Sequence, residues 1–266
     1  MLNESPVEAW VKRYGSSSPA LTNLGHFLNH RSIRKFSPEP IPEETLQGLI
    51  AAAQSAATSS NLQLWSVISI QDVERRERIT QLCADQTQVK DCAVYLCFLA
   101  DHYRLRRAAE KKGEACEGLG HTEFFTMAVI DAALAAERLV CAAEAIGLGI
   151  CYIGALRNDA EGVKQLLELP EGTFGLFGLC LGWPAEPMTA KIKPRLSQDA
   201  VWFRETYNSN APTEEYDERM REFYVSEGMN GTVDWSARSG RRADLHHMTG
   251  RETLLGWLHG QGFLLQ

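Results

Sequence analysis

The chain has 266 residues, 44% of them apolar and 23% charged, an ordinary balance for a globular protein with a sizeable core. Its formal net charge of −7 argues against nucleic acid or an anionic membrane as the main partner. The seven cysteines, at 83, 92, 97, 116, 141, 151 and 180, include no Cys-x-x-Cys pair, which points to reduced thiols and away from a disulfide framework or a zinc site.

Residues 1–25 read as a weakly patterned lead-in, and MLNESPVEAWVKRYG holds no apolar core of signal-peptide length. No run reaches the roughly 20 apolar residues of a membrane helix, so a soluble, cytoplasmic protein is expected. A helix should open at Ile41-Pro42-Glu43-Glu44, with Pro42 in its first turn and the acids at its positive end. Leu46, Leu49, Ile50, Ala53 and Ala57 then form a stripe at helical spacing. A Ser/Thr/Asn-rich loop, Thr58–Gln63, leads into a strand at Trp65–Ile70. Asp72–Cys83 reads as a short charged helix with its apolar side at Val73, Ile79 and Leu82. The apolar run Ala93–Ala100 suits a strand covered on both faces.

His102–Gly120, rich in Arg, Lys and Glu, predicts an exposed helical excursion. The longest element is a helix over Glu123–Ile146, with Asp131, Arg138 and Glu144 close to one side and apolar residues over the rest. Such a helix must be buried on several sides, in a subunit interface or in the core of a monomer. Gly147–Leu156 gives a turn and a strand. Asn158 is placed to cap a helix over Asp159–Leu169 that buries Val163, Leu166 and Leu167 and stops at Pro170. Thr173–Leu181 is another buried strand, closed by Gly182-Trp183-Pro184. Beyond Lys193 the pattern loosens, with helices at Thr213–Glu227 and Arg251–His259. The sum is one α+β domain over 1–266, with an excursion near 102–120 and a C-terminal extension near 197–266.

The most informative stretch is His30–Phe36, HRSIRKF. Arg31, Ser32 and Arg34 supply fork-shaped donors and a hydroxyl, the chemistry that holds a phosphate. In extended backbone Ser32 and Arg34 point the same way, and Lys193 and Arg195 repeat that geometry across Pro194. Converging, the two pairs would make a phosphate clamp; apart, they are solvated basic turns. The hydroxyls and amides of Thr58–Gln63 suit the polar edge of a heteroaromatic ring, although Ser and Asn also cap helix ends. Gln86 and Gln88 share that ambiguity. Tyr152-Ile153-Gly154-Ala155 would let backbone N–H groups approach a flat ligand, or is simply a tight strand exit.

Other templates fail. Gly175, Gly178 and Gly182 do not make the dinucleotide fingerprint, and neither a Walker-type phosphate loop nor a Gly-x-Ser-x-Gly elbow is present. His246 and His247 are adjacent and lack the i, i+4 spacing of a helical metal pair, so no metal site is expected.

Taken in order, HRSIRKF (30–36), SSNLQLW (59–65), the 123–146 helix, GLGICYIGALRN (147–158), LFGLCLGWP (176–184), KPRL (193–196) and LHGQGF (258–263) resemble the FMN-dependent nitroreductase superfamily. The likeness is greatest to its oxygen-insensitive NADPH nitroreductase and NADPH–flavin oxidoreductase branch. The resemblance implies a nitroreductase-like α+β fold, a mixed, mostly antiparallel sheet wrapped by helices. It also implies an intertwined homodimer whose C-terminal extension embraces the partner. His30, Arg31, Ser32 and Arg34, with Lys193 and Arg195, would hold the FMN phosphate and ribityl tail. Ser59, Ser60, Asn61, Gln63, Gln86 and Gln88 would line the flavin. Tyr152, Ile153, Gly154 and Ala155 would lie along the isoalloxazine, with a backbone N–H near N5.

The implied activity passes two electrons from NADPH or NADH through FMN to nitroaromatics, quinones or free flavins, with ping-pong kinetics. The flavin carries the hydride, so no side chain is assigned as general acid, base or nucleophile. Alternatives of the same resemblance are a flavin reductase supplying reduced FMN to a partner, and a flavin-binding sensor without turnover. Two positions depart from the pattern. Leu64 stands where the superfamily often has proline. In YVSEGMNGTV (224–233), Glu227 occupies the place of an arginine that grips the NADPH 2′-phosphate, and a carboxylate there would repel it. NADH use, or use of both nucleotides, is therefore expected.

Overall fold

The computed structural model describes residues 5–16 and 25–263. In chain order its elements are α1 (Pro6–Tyr14), α2 (Gly25–Leu28), α3 (Glu43–Gln54), β1 (Trp65–Ile70), α4 (Val73–Leu82), α5 (Thr87–Asp91), β2 (Val94–Asp101) and α6 (Tyr103–Glu110). They continue with α7 (Thr122–Ala145), β3 (Gly149–Ile153), α8 (Ala160–Leu167), β4 (Thr173–Gly182), α9 (Glu214–Ser226), α10 (Trp235–Arg242) and α11 (Leu254–Gly260). They divide into two compact units, one of residues 1–31 and 189–248, the other of 32–188 and 249–266.

The second unit is built on a sheet of order β1-β2-β4-β3, antiparallel at every strand pair. An isolated parallel bridge between Ser32 and Ile150 makes the pairing mixed. β2 and β4 are central and covered on both faces, which is why they read as unbroken apolar runs. Alternation along the strands splits the core. Tyr95, Cys97, Cys151, Ile153 and Cys180 face Ile79, Val89 and Val163 of α4, α5 and α8. Val94, Leu96, Ile150, Leu179 and Leu181 face Leu46, Leu49 and Ala53 of α3 and Ala135, Ala136, Leu139 and Ala143 of α7. Full burial of a side chain such as Leu139 stabilises by roughly 1.5–3 kcal/mol. Gly178 is dictated by packing, because a Cβ there would sit 1.8 Å from the Tyr95 hydroxyl.

Several expectations need correction. Val73 is 81% exposed, so the buried side of α4 is Ile79 with Leu82 partly covered. Ala57 lies past the end of α3 at Gln54 and faces solvent. The cap of α8 is Asp159, whose side chain accepts from Gly162 N at 2.7 Å. Asn158 instead accepts from Arg251 Nε at 2.9 Å, tying the C-terminal segment to the turn after β3. Within 102–120, α6 forms an outer helix while His102 and Leu119 are buried.

In the first unit, the supposed lead-in contains α1. Ser5 and Glu8 make a reciprocal capping box, Pro6 opens the helix, and Gly15 closes it with φ +68°. Tyr216, Met220 and Tyr224 of α9 form a small core with Phe223, Trp235 and Leu196. Unforeseen from the sequence, α10 begins at Asp234, which caps Ala237 N at 2.9 Å, and ends on Arg241 and Arg242.

Candidate functional site

In the sheet unit, residues 32–36 of HRSIRKF pass the free side of β3, with Ser32 bridged to Ile150. Ile33 N donates to Ile150 O at 2.8 Å. Ser37 N donates to Trp183 O at 2.8 Å and Ala185 N to Lys35 O at 3.0 Å, so both ends are held. A Cβ at Gly149 would meet Ile33 Cγ1 at 2.6 Å, so glycine is needed for this approach. Ile33 plugs into the core while Ser32 stays part-exposed and Arg34 exposed.

The Thr58–Gln63 loop is tethered by a residue that sequence reasoning placed on the polar side of the long helix. Asp131 of α7 is 1% exposed. Its carboxylate accepts from Thr58 Oγ1 at 2.5 Å, Ser59 N at 2.9 Å and Leu64 N at 3.1 Å. Thr58 Oγ1 in turn accepts from Gln63 N at 2.9 Å. From the outside, Arg104 donates to the carbonyls of Gln63 and Trp65 and to Ser66 Oγ. Between these anchors Ser60, Asn61 and Gln63 hold left-handed φ values of 49°, 56° and 53°, and their side chains stand exposed; Ser59 is half-buried. The signal for Asp131 was a single carboxylate in the apolar stretch between Glu123 and Glu137 of the helix. Arg104 gave no local signal.

The Tyr152–Ala155 turn ends β3. Ile153 and Ala155 bury their side chains in the core, so this pair offers only backbone to a ligand. Gly154 leaves open space, its would-be Cβ approaching only Arg157 Nη2 at 3.5 Å. Tyr152 donates to Glu137 Oε2 at 3.3 Å and meets Phe177 edge-on. Burial, with the Glu137 carboxylate beside it, pushes its phenol well up, so the hydroxyl remains a donor. Gln86 and Gln88 engage locally: Gln88 Nε2 donates to Gln86 Oε1 at 2.7 Å, and Gln86 Nε2 to Cys83 O at 3.1 Å. Val89, next to Gln88, packs in the same core as Ile153 and Ala155, which sets both glutamines on the turn's side of the sheet.

The first unit holds His30, Arg31, Lys193 and Arg195. Arg31 donates to Asn29 O at 3.0 Å and Asn29 Oδ1 at 3.1 Å. Lys193 lies over the Phe223 ring at 5.9 Å, and Tyr216 donates to Pro194 O at 3.3 Å. Both segments meet on Arg13 of α1, which sequence reasoning missed. Its Nε donates to Leu28 O and its Nη2 to His30 O, each at 2.8 Å, and its own carbonyl accepts from Arg195 N at 2.8 Å. Also in this unit, Glu227 pairs with Lys191 at 3.1 Å, and the Arg238 guanidinium lies 4.5 Å from the centre of the Tyr224 ring. Among the described residues no three His, Cys, Asp or Glu side chains form a metal cluster, and no helix is long and apolar enough to cross a membrane.

The antiparallel α+β core with a basic segment laid along its β3 edge is the nitroreductase fold. The solved NfrA1 nitroreductase of Bacillus subtilis superposes with a TM-score of 0.84 at 36% identity, covering 92% of this chain and all of that one (100%). The NADPH:FMN oxidoreductase of Vibrio harveyi, solved with NAD+, gives 0.79 at 33% identity over 91% and 99%. By sequence, residues 28–183 match the nitroreductase family and 193–266 its C-terminal domain. The FMN reductase (NADPH) of Bacillus subtilis is 41% identical over 79% of this chain and 86% of its own length. The oxygen-insensitive NADPH nitroreductase of Salmonella typhimurium is 37% identical over 88% and 95%. The chain belongs to the nitroreductase family.

Proposed function

We propose that the protein is a homodimeric, cytoplasmic, FMN-dependent oxidoreductase that uses NADPH or NADH to reduce nitroaromatics, quinones or related acceptors. The observation that carries this reading is the parallel seam between HRSIRKF and β3. It holds Ser32, which with Arg34 would bind an anion, one strand spacing, about 4.8 Å, from the chain leading to the open Gly154 turn. Phosphate-type donors and a flat-ligand turn are thereby adjacent.

The donor set fits FMN. Ser32 and Arg34, together with His30, Arg31, Lys193 and Arg195, would hold its phosphate and ribityl tail. Ser59, Ser60, Asn61, Gln63, Gln86 and Gln88 would meet the polar edge of its ring. The turn from Tyr152 through Ile153 and Gly154 to Ala155 would run along the ring, the last three by backbone. Bound FMN would supply two-electron chemistry between a reduced nicotinamide and an acceptor. The left-handed loop would keep its amides aimed without reorganising, because Asp131 and Arg104 fix both ends. Cationic side chains would favour an anionic form of the ring. One pocket serving reductant and acceptor in turn implies ping-pong kinetics.

Ile130 and Leu134, about half exposed on α7, support a subunit interface on that helix. The relative named FMN reductase (NADPH) favours free flavin as a second class of acceptor. The test is an anaerobic titration of the purified protein with NADH and, separately, NADPH. Flavin absorption that bleaches supports the proposal. Bound flavin that neither nucleotide reduces refutes the enzyme reading, and failure to bind added FMN refutes the whole of it.

A further inference from the structure

We infer that Arg13 is a positioning residue for the phosphate end of the flavin site, supplied by a helix that the matched family segments do not include. This rests on the FMN reading above. The family matches cover 28–183 and 193–266, so α1 (Pro6–Tyr14) lies outside both. Arg13 is nonetheless 5% exposed, an unusual place for a guanidinium without a task.

Its bonds define that task. Through Leu28 O and His30 O, the planar fork fixes the backbone immediately before Arg31. Through its own carbonyl, Arg13 receives Arg195 N and thereby fixes the backbone carrying Lys193 and Arg195. Arg219 closes the knot, donating to Arg13 O at 3.1 Å and Arg195 O at 3.3 Å. The two basic segments are distant in sequence and carry like charges that repel. Both are bonded to one residue of a third segment. Donors already in place when the anion arrives need not be ordered by it, which is the gain of preorganisation.

The test measures FMN and riboflavin binding to the apoprotein by flavin fluorescence quenching. Riboflavin has the same ring and ribityl chain and lacks the phosphate. Arg13→Met keeps an unbranched apolar stem in the helix interface and removes the fork. FMN Kd should rise about tenfold, the scale of losing charged hydrogen bonds, with riboflavin Kd unchanged within about twofold. Arg13→Lys should fall between. In an Arg31→Gln background, Arg13→Met should add less than about twofold, since the group its fork positions is already gone.

The inference is overturned if both flavins weaken together, if FMN affinity does not change, or if the two substitutions add in full. Should Arg13→Met not fold, Arg219→Gln replaces it. That side chain is partly exposed and donates to the Arg13 and Arg195 carbonyls, holding the Lys193–Arg195 segment, so a smaller, phosphate-selective loss is expected. Equal loss for both flavins, or none, then overturns the inference. Wild-type protein that binds neither flavin removes the FMN reading itself, whereas wild-type FMN binding with an unaffected Arg13→Met removes only the role of Arg13.

Discussion

Replacing Asp131 with Asn changes one atom in a buried carboxylate and should dismantle the loop it holds. Three donors converge on that carboxylate, Ser59 N on Oδ1 and Thr58 Oγ1 with Leu64 N on Oδ2. An asparagine has a single acceptor oxygen. With its oxygen at the Oδ2 position, its NH2 confronts Ser59 N–H; in the flipped orientation it confronts Leu64 N–H. At least one backbone donor is orphaned either way, at about 1–3 kcal/mol, and the surviving bonds lose their charge assistance. We expect about 2–4 kcal/mol in total, shared between opening of the loop and global stability. If all of it were global, Tm would fall by roughly 5–15 °C, at about 2–4 °C per kcal/mol for a protein of this size. If the loop opens alone, Tm moves little, and FMN affinity falls by up to about tenfold for each 1.4 kcal/mol. Thermal denaturation and flavin titration on the same preparation distinguish these outcomes. A variant with wild-type Tm and wild-type flavin affinity refutes the anchoring argument.

Three further outcomes follow from other parts of the molecule. Gly149→Ala should force Ile33 away from β3 and lower flavin affinity along with stability by about 1–3 kcal/mol, the range for overpacking; an unchanged flavin content would contradict the seam. Glu227→Arg should raise the ratio of NADPH to NADH kcat/KM by about tenfold, since a repulsive charge becomes attractive toward a 2′-phosphate. Its stability should barely move, because the Lys191 pair it breaks is exposed and worth at most about 1 kcal/mol. The third concerns His102, wholly buried beside Phe263, with neither ring nitrogen hydrogen-bonded. Burial holds its pKa below the ordinary 6.5, so the unfolded chain binds a proton that the folded chain resists. Stability should therefore decline as pH falls from 6.5 toward the folded value, and His102→Leu should flatten that decline in denaturant midpoints measured across the window.

Local pattern and tertiary context divided the molecule along a physical line. The sequence by itself determined the elements whose signal is periodic or continuous. β1 at Trp65–Ile70, the buried runs of β2 and β4, and the long α7 all fall where alternation or apolar continuity puts them. It also carried the family, because HRSIRKF, SSNLQLW, GLGICYIGALRN and KPRL are contiguous segments whose order survives in one dimension. α1 was legible in Ser5, Pro6, Glu8 and Gly15, cap signals that a search for apolar stripes passes over.

Only the tertiary structure decided which polar residues work inside the protein. Asp131 looked like the solvated face of a helix until the loop 58–64 closed over it, and Val73 looked like core until α4 turned its side to solvent. Arg13 resembled any lysine- or arginine-rich helix end until residues 28–30 and 195 were found on it. A buried polar group is defined by partners, and those partners lie tens to hundreds of residues away, where neither periodicity nor propensity reaches.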